Sequence, residues 1–273
     1  MRMILALCLS LIAALPAAAQ RMPSHCIAIA DAAPGLQYLQ KASFRDPLPD
    51  YVVRISYIAH AQFLIQSASG VDVVTDYTGY IGNTDLVPDV VTMNHAHDTH
   101  WTATPDPKIA HVLQGWSNEP GRGVDHQLLV GDMRVRNVPT DIRSFNGVEP
   151  NGNSIFVFEV AGLCIGHLGH LHHEPSEAQY AALGRLDVVM AAVDGSMTVD
   201  LPTMIRIMKR LKASVVIPMH WFGDGTLEAF VAGMRDEFEI VDKGETDFTV
   251  SLNTLPRRPT VRVLYPRYLR DPK

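Results

Sequence analysis

Eight of the 12 histidines stand at three places where an apolar, strand-like run gives way to a loop. The runs end at Met93, Gly166 and Met219. The histidines that follow them are His95, His97, His100, His167, His170, His172, His173 and His220. This distribution constrains the fold, because the three strand ends must meet if the imidazoles act together. Neutral imidazole is the commonest metal ligand among side chains and suits zinc, iron, copper or nickel. The alternative is that the rings only hydrogen-bond loop backbone.

The first 19 residues have the features of a signal peptide. Arg2 supplies a positive start, residues 3–15 are apolar, and residues 16–19 (Pro-Ala-Ala-Ala) offer a small-residue cleavage site. The stretch is too short to span a bilayer, and no later segment approaches 18 consecutive apolar residues. We therefore expect a periplasmic or secreted protein with no membrane contact after signal removal.

Charge and cysteine content narrow the partners. The net charge of −6 becomes −7 when Arg2 is removed, and no Lys/Arg stripe accompanies it, so we expect no nucleic-acid partner. The expected partner is a small-molecule substrate, and the oligomeric state stays open. Cys26 and Cys164 are the only cysteines after residue 19. Export permits a disulfide, but Cys164 lies in an apolar run and Cys26 in the N-terminal segment, which favours two separate thiols.

The remaining chain divides into an N-terminal extension, residues 20–50, with one short helix expected near 35–42, and a single domain, residues 51–273. Strand-like runs dominate and are followed by three helical patterns, at 177–183, 201–211 and 226–238. The predicted strands cover 51–58, 62–66, 71–76, 89–93, 109–113, 127–130, 133–138, 154–160, 163–167, 186–193, 215–219 and 248–252. Residues 146–153, rich in Asn and Gly, are predicted to be a loop. Two β-rich halves followed by helices indicate an α/β fold in which two sheets lie between helical layers.

Several motifs, in order, resemble the metallo-β-lactamase superfamily, and most closely its ascorbate-phosphate lactonase-like branch. Residues 57–65 resemble the opening hairpin of that branch, and residues 74–76 its strand ending in an acidic residue. Residues 95–100 lie on the signature His-x-His-x-Asp-His, residues 167–170 on a segment that usually ends in Gly-Asp, and residues 217–220 on the closing His motif. The resemblance implies a four-layer αββα sandwich and a metal-dependent hydrolase.

The resemblance also implies metal ligands, residue by residue. His95 and His97 match the first-site pair, whereas His100 and His220 match second-site ligands. Asp141 aligns loosely with the remaining first-site histidine. With Asp141, three positions depart from the pattern, and Asp98 stands one residue early. Thr99 replaces an acidic ligand, and His170 replaces the bridging aspartate.

These departures remove the carboxylates that offset the repulsion between two cations. We therefore expect one metal ion, zinc first and iron or manganese as alternatives. Its ligands would come from His95, His97, His170 and Asp141, or from a rearranged set including His100 and His220. His170 is also a candidate for proton transfer.

The neighbours of these residues are assigned supporting roles. We expect His60 to be a structural hydrogen-bonding residue, with a metal ligand as the alternative, and Asp76 to support the histidine loop through hydrogen bonds instead of touching the metal. His172 and His173 are expected to be exposed loop residues, with contacts to the metal ligands or to the substrate as the alternative. Trp101, Trp116 and Trp221 either line a substrate mouth or pack in the interior.

Three functions stay open on the sequence. A hydrolase would use a metal-activated water on an ester, lactone, amide or phosphodiester bond. A non-catalytic metal-binding protein would have kept the fold while losing the carboxylates. Redox chemistry at a single iron held by histidines is the third.

Overall fold

A computed structural model describes residues 24–28, 43–95, 97–145 and 147–272. The predicted signal peptide, residues 1–19, lies outside the described residues. So do the whole of the short helix predicted near 35–42 and much of the extension 20–50. Within the described part of the chain, no helix combines the length and apolar character that crossing a bilayer requires.

Two large sheets form the centre of the fold, with strands and helices numbered in chain order. The first sheet has the order β14-β1-β2-β3-β5-β6. Its strands are β1 (Val53–Ala59), β2 (Gln62–Gln66), β3 (Asp72–Val74), β5 (Val90–Met93), β6 (His111–Gln114) and β14 (Asp247–Val250). In this sheet β3, β5 and β6 run parallel to one another.

The second sheet has the order β13-β15-β12-β11-β10-β9-β8-β7. Its strands are β7 (Gln127–Val130), β8 (Met133–Ser144), β9 (Gly147–Val160), β10 (Leu163–His167), β11 (Val188–Ala192), β12 (Val215–Met219), β13 (Glu239–Glu245) and β15 (Thr260–Leu264). From β10 to β13 the neighbouring strands are parallel. A small third sheet joins β4 (Gly82–Asn83) to β16 (Leu269–Arg270).

The helices α2 (Glu177–Leu183), α3 (Leu201–Leu211) and α4 (Asp224–Met234) cover one face of the second sheet. Ser176 and Gln179 form a capping box at the start of α2, which satisfies backbone N–H groups of its first turn. Asp200 caps α3 by accepting from the Thr203 N–H, as short polar side chains do at helix starts. A short helix, α1 (His25–Ala28), precedes them.

The main core lies between the two sheets, where alternate residues of each strand point inward. In β2, Phe63 and Ile65 join this core, whereas Leu64 faces a separate cluster on the outer side of the first sheet. Within the described residues, that outer side is covered by loop side chains such as Tyr77 and Ile109. The predicted α/β fold with two packed sheets is confirmed.

Cys26 and Cys164 form a disulfide, with their Cα atoms 5.8 Å apart. The expectation of two separate thiols was therefore wrong. Both are almost fully buried in the core beneath the helices, and the Arg185 N–H donates to the Cys26 carbonyl. The N-terminal segment thus packs directly on β10, a tertiary contact that the strand-like surroundings of Cys164 do not reveal.

The carboxyl ends of β5, β10 and β12 open toward one another across the sandwich. His167 ends β10, His220 follows β12, and the histidine loop follows β5. Ligand sites in α/β folds form where the carboxyl ends of parallel strands leave a crevice. The fold therefore brings the three histidine-bearing junctions to one place.

Candidate metal centre

Three ring nitrogens converge at the middle of this crevice. The Nε2 atom of His100 lies 3.2 Å from the Nε2 atom of His220. The Nδ1 atom of His170 lies 3.0 Å from the same His100 nitrogen. All three side chains are buried. The predicted convergence of the three strand ends is thus a direct contact between one histidine from each.

A tight turn sends His100 inward. The His100 N–H donates to the His97 carbonyl at 2.7 Å, and the His97 N–H donates to the His95 carbonyl at 2.9 Å. The His170 loop closes against this segment at Gly169. A Cβ atom at position 169 would lie 1.8 Å from Asn94 Nδ2, so only glycine lets the two loops approach this closely.

A buried carboxylate stands behind each of the two facing imidazoles. His100 Nδ1 lies 2.5 Å from the Asp76 carboxylate, and His220 Nδ1 lies 3.1 Å from that of Asp194. The prediction that Asp76 supports the histidine loop is confirmed, since Asp76 also accepts from the Asn94 N–H at 2.9 Å. Carboxylates in this position fix the ring orientation and tautomer of metal-binding histidines. Asp194 has no comparable signal in the sequence, because it lies in a loop after β11 and outside the histidine motifs.

The carboxylates differ in the electrostatics of their surroundings. Burial raises the pKa of Asp76 to about 7, although His167 and the Asn94 N–H oppose the rise. Burial would also raise the pKa of Asp194, but the adjacent His220 ring and hydrogen bonds from Thr198 and the Ser196 N–H hold it well below its usual range. Asp194 is therefore a firmly ionised partner for His220.

Three imidazoles of the centre, those of His60, His100 and His170, are held neutral. Burial, followed by repulsion from neighbouring histidines, lowers the pKa of His100 and of His170 well below the usual value. The same causes lower the pKa of His60 to about 3. Neutral imidazoles present lone pairs, which is the form that binds metal ions.

His60, predicted to be a structural residue, has its side chain in this cluster. Its ring centroid lies 3.9 Å from that of His220 and 5.4 Å from that of His100. The ligating atoms of His60, His100 and His220 all lie within 4.8 Å of one another. The exposed ring of Phe222 packs against His60 and His220, with centroids 5.2 and 5.4 Å away.

His95 and His97 form the outer side of the cluster. Their rings stack roughly parallel to that of His170, with centroids 6.1 and 5.5 Å away. His95 Nδ1 lies 2.6 Å from the Gly152 carbonyl, which orients its Nε2 atom away from the backbone. His97 is exposed and its Nδ1 atom lies 3.1 Å from the Thr99 hydroxyl.

The structure therefore brings together five of the six predicted metal residues: His95, His97, His100, His170 and His220. Asp141 lies in β8, where its carboxylate accepts from the Asn151 N–H at 2.9 Å. None of the described cluster histidines is among its partners. A metal role for Asp141 stays a prediction without a supporting contact.

His172 and His173 are half-buried instead of exposed. The His172 ring lies 4.8 Å from that of His170 and accepts the Arg143 N–H at 2.7 Å. Burial, then Arg143, lowers the pKa of His172 to about 4. The tryptophans pack against neighbouring rings: Trp101 and Trp116 contact each other edge to face, and Trp221 contacts Tyr265 edge to face.

The donor set fits a divalent metal ion. His100 pairs with Asp76 through Nδ1, so a neutral His100 ring presents its Nε2 lone pair toward the Nε2 atom of His220, 3.2 Å away. The Nδ1 atom of His220 lies 3.1 Å from the Asp194 carboxylate without a hydrogen bond. A proton from His170, whose Nδ1 atom lies 3.0 Å from His100 Nε2, could satisfy only one of the two facing Nε2 atoms. The buried Nε2 atom of His60 has no hydrogen-bond partner, although buried polar atoms nearly always have one. A cation among these nitrogens would satisfy all of them.

Comparisons with known proteins agree with this geometry. A family model described as a beta-lactamase superfamily domain matches residues 54–220, more than half of the chain. A search of curated proteins finds no match to the sequence.

Solved structures share the architecture. A Thermotoga maritima protein of the metallo-beta-lactamase superfamily, inferred to be a zinc-dependent hydrolase, is 25% identical, with a TM-score of 0.53, and the match covers 78% of this chain and 98% of that one. Igni18, a metallo hydrolase from Ignicoccus hospitalis, is 16% identical, with a TM-score of 0.53 and coverage of 73% and 99%. YhfI from Bacillus subtilis, a metallo-beta-lactamase fold protein, is 12% identical, with a TM-score of 0.51 and coverage of 74% and 99%. At 16% and 12% identity, the likeness to Igni18 and YhfI shows a shared fold alone.

Proposed function

The chain belongs to the beta-lactamase superfamily, and we propose that it is an exported metal-dependent hydrolase acting on a small molecule. The bond class is an ester, lactone, amide or phosphodiester, and the motifs are most similar to the lactonase-like branch. Zinc is the proposed ion, with iron or manganese as alternatives. The Cys26–Cys164 disulfide supports export, because disulfides persist mainly outside the reducing cytosol.

One observation carries the proposal. His100 and His220 face each other through Nε2 at 3.2 Å, and a buried carboxylate stands behind each ring. This carboxylate–histidine arrangement is the usual support of a metal ion in a catalytic site. A purely structural pair of histidines would have no need of two buried acidic partners, whose burial is costly unless they are paired.

Each residue of the site would have a distinct role in the reaction. His100 and His220 hold the ion through Nε2, while Asp76 and Asp194 orient them. A divalent ion held by imidazoles, when bound, activates a water and polarises the bond under attack. His170, whose Nδ1 atom lies 3.0 Å from the Nε2 atom of His100, is the residue proposed to transfer a proton, in place of the acidic residue that Thr99 replaces. The exposed Phe222 ring offers an apolar wall for the substrate.

The test is hydrolysis by metal-reconstituted protein on a panel of lactone, ester, amide and phosphodiester substrates. His220→Asn is the central variant, because His220 has φ of 59° and asparagine tolerates the left-handed region. We expect a loss of about 100-fold or more in kcat/KM, since even the partners behind a ligand are worth 10–100-fold.

His111→Asn is the matched control. His111 begins β6 opposite Val90, whereas the histidine loop leaves the other end of that strand pair after Met93. The control should keep full activity. Metal binding without turnover on any substrate would instead favour the non-catalytic metal-binding protein, and full activity in His220→Asn would contradict the proposed site.

A further inference from the structure

The geometry points to His60 as the third metal ligand, which completes a single-ion site with His100 and His220 in place of the carboxylate lost at Thr99. This inference rests on the proposed metal-dependent function and specifies the ligand set of the same site. It replaces the expectation that His60 only supports the hairpin by hydrogen bonding.

The backbone at His60 is shaped to aim the ring. His60 stands in the turn between β1 and β2 with φ of 46°, a conformation that is uncommon for residues other than glycine. The strand register shifts between Tyr57 and Ala59, immediately before it. Such bulges are frequent beside active sites, where they re-aim a side chain.

One hydrogen bond ties this turn to the end of β12, and a second braces the turn against β1 of its own hairpin. The His60 carbonyl accepts from the Tyr57 hydroxyl at 2.5 Å and from the His220 N–H at 2.9 Å. The turn that carries His60 is therefore attached to the residue that carries the second ligand. The attachment uses only backbone acceptors of His60, so its imidazole is not needed for it.

The imidazole of His60 has no other described task as a hydrogen-bonding group. Its Nε2 atom is buried without a hydrogen-bond partner, and its ligating atom lies within 4.8 Å of those of His100 and His220. Thr99, at the position of the missing carboxylate, is exposed, and its hydroxyl faces His97. Thr99 therefore offers no metal ligand to the centre, whereas His60 offers a ring nitrogen.

The charges around the site are compatible with a histidine ligand in place of a carboxylate ligand. Imidazole ligands that bind through a lone pair leave the charge of a divalent ion unchanged, and the carboxylates of Asp76 and Asp194 stand behind two of the three rings. Three histidines with a fourth position left for water is an established ligand set for catalytic zinc. The result is one ion in a site that needs no bridging carboxylate, consistent with histidine at position 170.

The experiment compares cobalt(II) and zinc binding by the full mature protein and its His60→Asn variant, without any substrate. Asparagine tolerates the backbone conformation at this position, and His60→Gly is the second variant in case the first fails to fold. Stoichiometry and Kd come from titration, and the visible spectrum of bound cobalt reports the ligand set. His111→Asn is the control.

We expect one ion per wild-type chain, a Kd raised about 100-fold or more in both His60 variants, and a changed cobalt spectrum. An unchanged Kd and spectrum in folded His60→Asn would overturn the inference. An ion bound with these effects but without any hydrolysis would defeat the proposed hydrolase and leave the ligand assignment standing. Failure of the wild-type chain to bind metal would defeat both.

Discussion

At the residue scale, the two carboxylates behind the imidazoles are held in different ways. Asp194 accepts from the N–H groups of Ser196, Met197 and Thr198 and from the Thr198 hydroxyl, at 2.5 to 3.1 Å. Asp76 is buried with one backbone donor, the Asn94 N–H. A carboxylate with several donors stays ionised. Asp194 is thus the stronger electrostatic support for a bound cation.

Replacing Asp194 with asparagine should therefore weaken metal binding more than it alters the fold. Without the negative charge, His220 loses the partner that fixes its tautomer and strengthens its Nε2 lone pair. We expect the zinc Kd of Asp194→Asn to rise by about 10- to 100-fold. Calorimetric titration of the metal-free protein measures it.

Asp187→Asn is the matched control for this substitution. Asp187 is also a buried carboxylate, but it accepts from the Cys164 N–H and from Arg185 at the other end of β10. Its replacement should leave the zinc Kd unchanged. Equal Kd values for the wild-type protein and Asp194→Asn would contradict the role assigned to Asp194.

The sequence predicted the site unevenly, and the reason is local geometry. His95, His97 and His100 stand in one motif after a strand, so their spacing alone indicated a shared site. His60 gave no such signal, because its position depends on a bulge and a left-handed turn. Asp194 was missed because a loop after β11 folds back on His220, a contact that no spacing encodes.

At the element scale, a buried ion pair connects two long strands to a helix. Arg136 of β8 donates to Glu159 of β9 at 2.7 Å. The same guanidinium donates to the carbonyls of Ala182 and Leu183 at the end of α2. Helix carbonyls in the last turn need such partners. Arg136 therefore neutralises the charge of Glu159 and also supplies hydrogen-bond donors to the carbonyl groups at the end of α2.

Glu159→Gln should destabilise the protein by about 3 kcal/mol at neutral pH, because it leaves Arg136 buried without its anion. Burial would raise the pKa of Glu159, but hydrogen bonds from Ser24 and Arg136 outweigh burial and lower it below 4.5. A lowered pKa gives stabilisation that is present above pH 4.5 and lost as pH falls through the folded-state value. The difference between wild type and variant should shrink in acid.

Urea unfolding at a series of pH values measures this difference. Glu177→Gln is the control, because Glu177 pairs with Arg210 on the exposed surface and exposed pairs contribute little. A wild-type-to-variant difference that stayed constant down to acid pH would show that the Glu159 charge is not the source of the stabilisation.

The elements themselves were predicted well where buried runs are short and apolar. The strands at β5, β10 and β12 match their predicted runs closely. The predicted loop at 146–153 is instead mostly the first half of β9, which pairs with an equally extended β8. Strand β13 was not predicted, because its burial is low and its sequence is charged. Cross-strand pairing, and not apolar pattern, holds these segments in the sheet.

At the scale of the whole molecule, the histidines at three strand ends form one site only because the two sheets are held in a fixed position relative to each other. The core between the sheets supplies most of this rigidity, with Phe63, Phe156 and Phe158 fully buried in it. The layered arrangement followed from the alternation of strands and helices in the sequence. How the N-terminal segment joins the layers did not, since it depends on a contact between residues 138 positions apart.

The Cys26–Cys164 disulfide should stabilise the fold without affecting the metal centre. Cys26→Ala combined with Cys164→Ala should lower the free energy of unfolding by about 4 kcal/mol, because the disulfide closes a long loop and restricts the unfolded chain. Cys164 pairs with Glu159 near the start of β10, whereas His167 ends the strand near the metal centre. The double variant should therefore keep the zinc Kd of the wild type while unfolding at lower urea concentration. An unchanged urea midpoint under non-reducing conditions would show that the disulfide does not stabilise the fold. A weakened zinc Kd would show that the N-terminal segment also positions the histidines, which would make the metal centre a property of the whole chain.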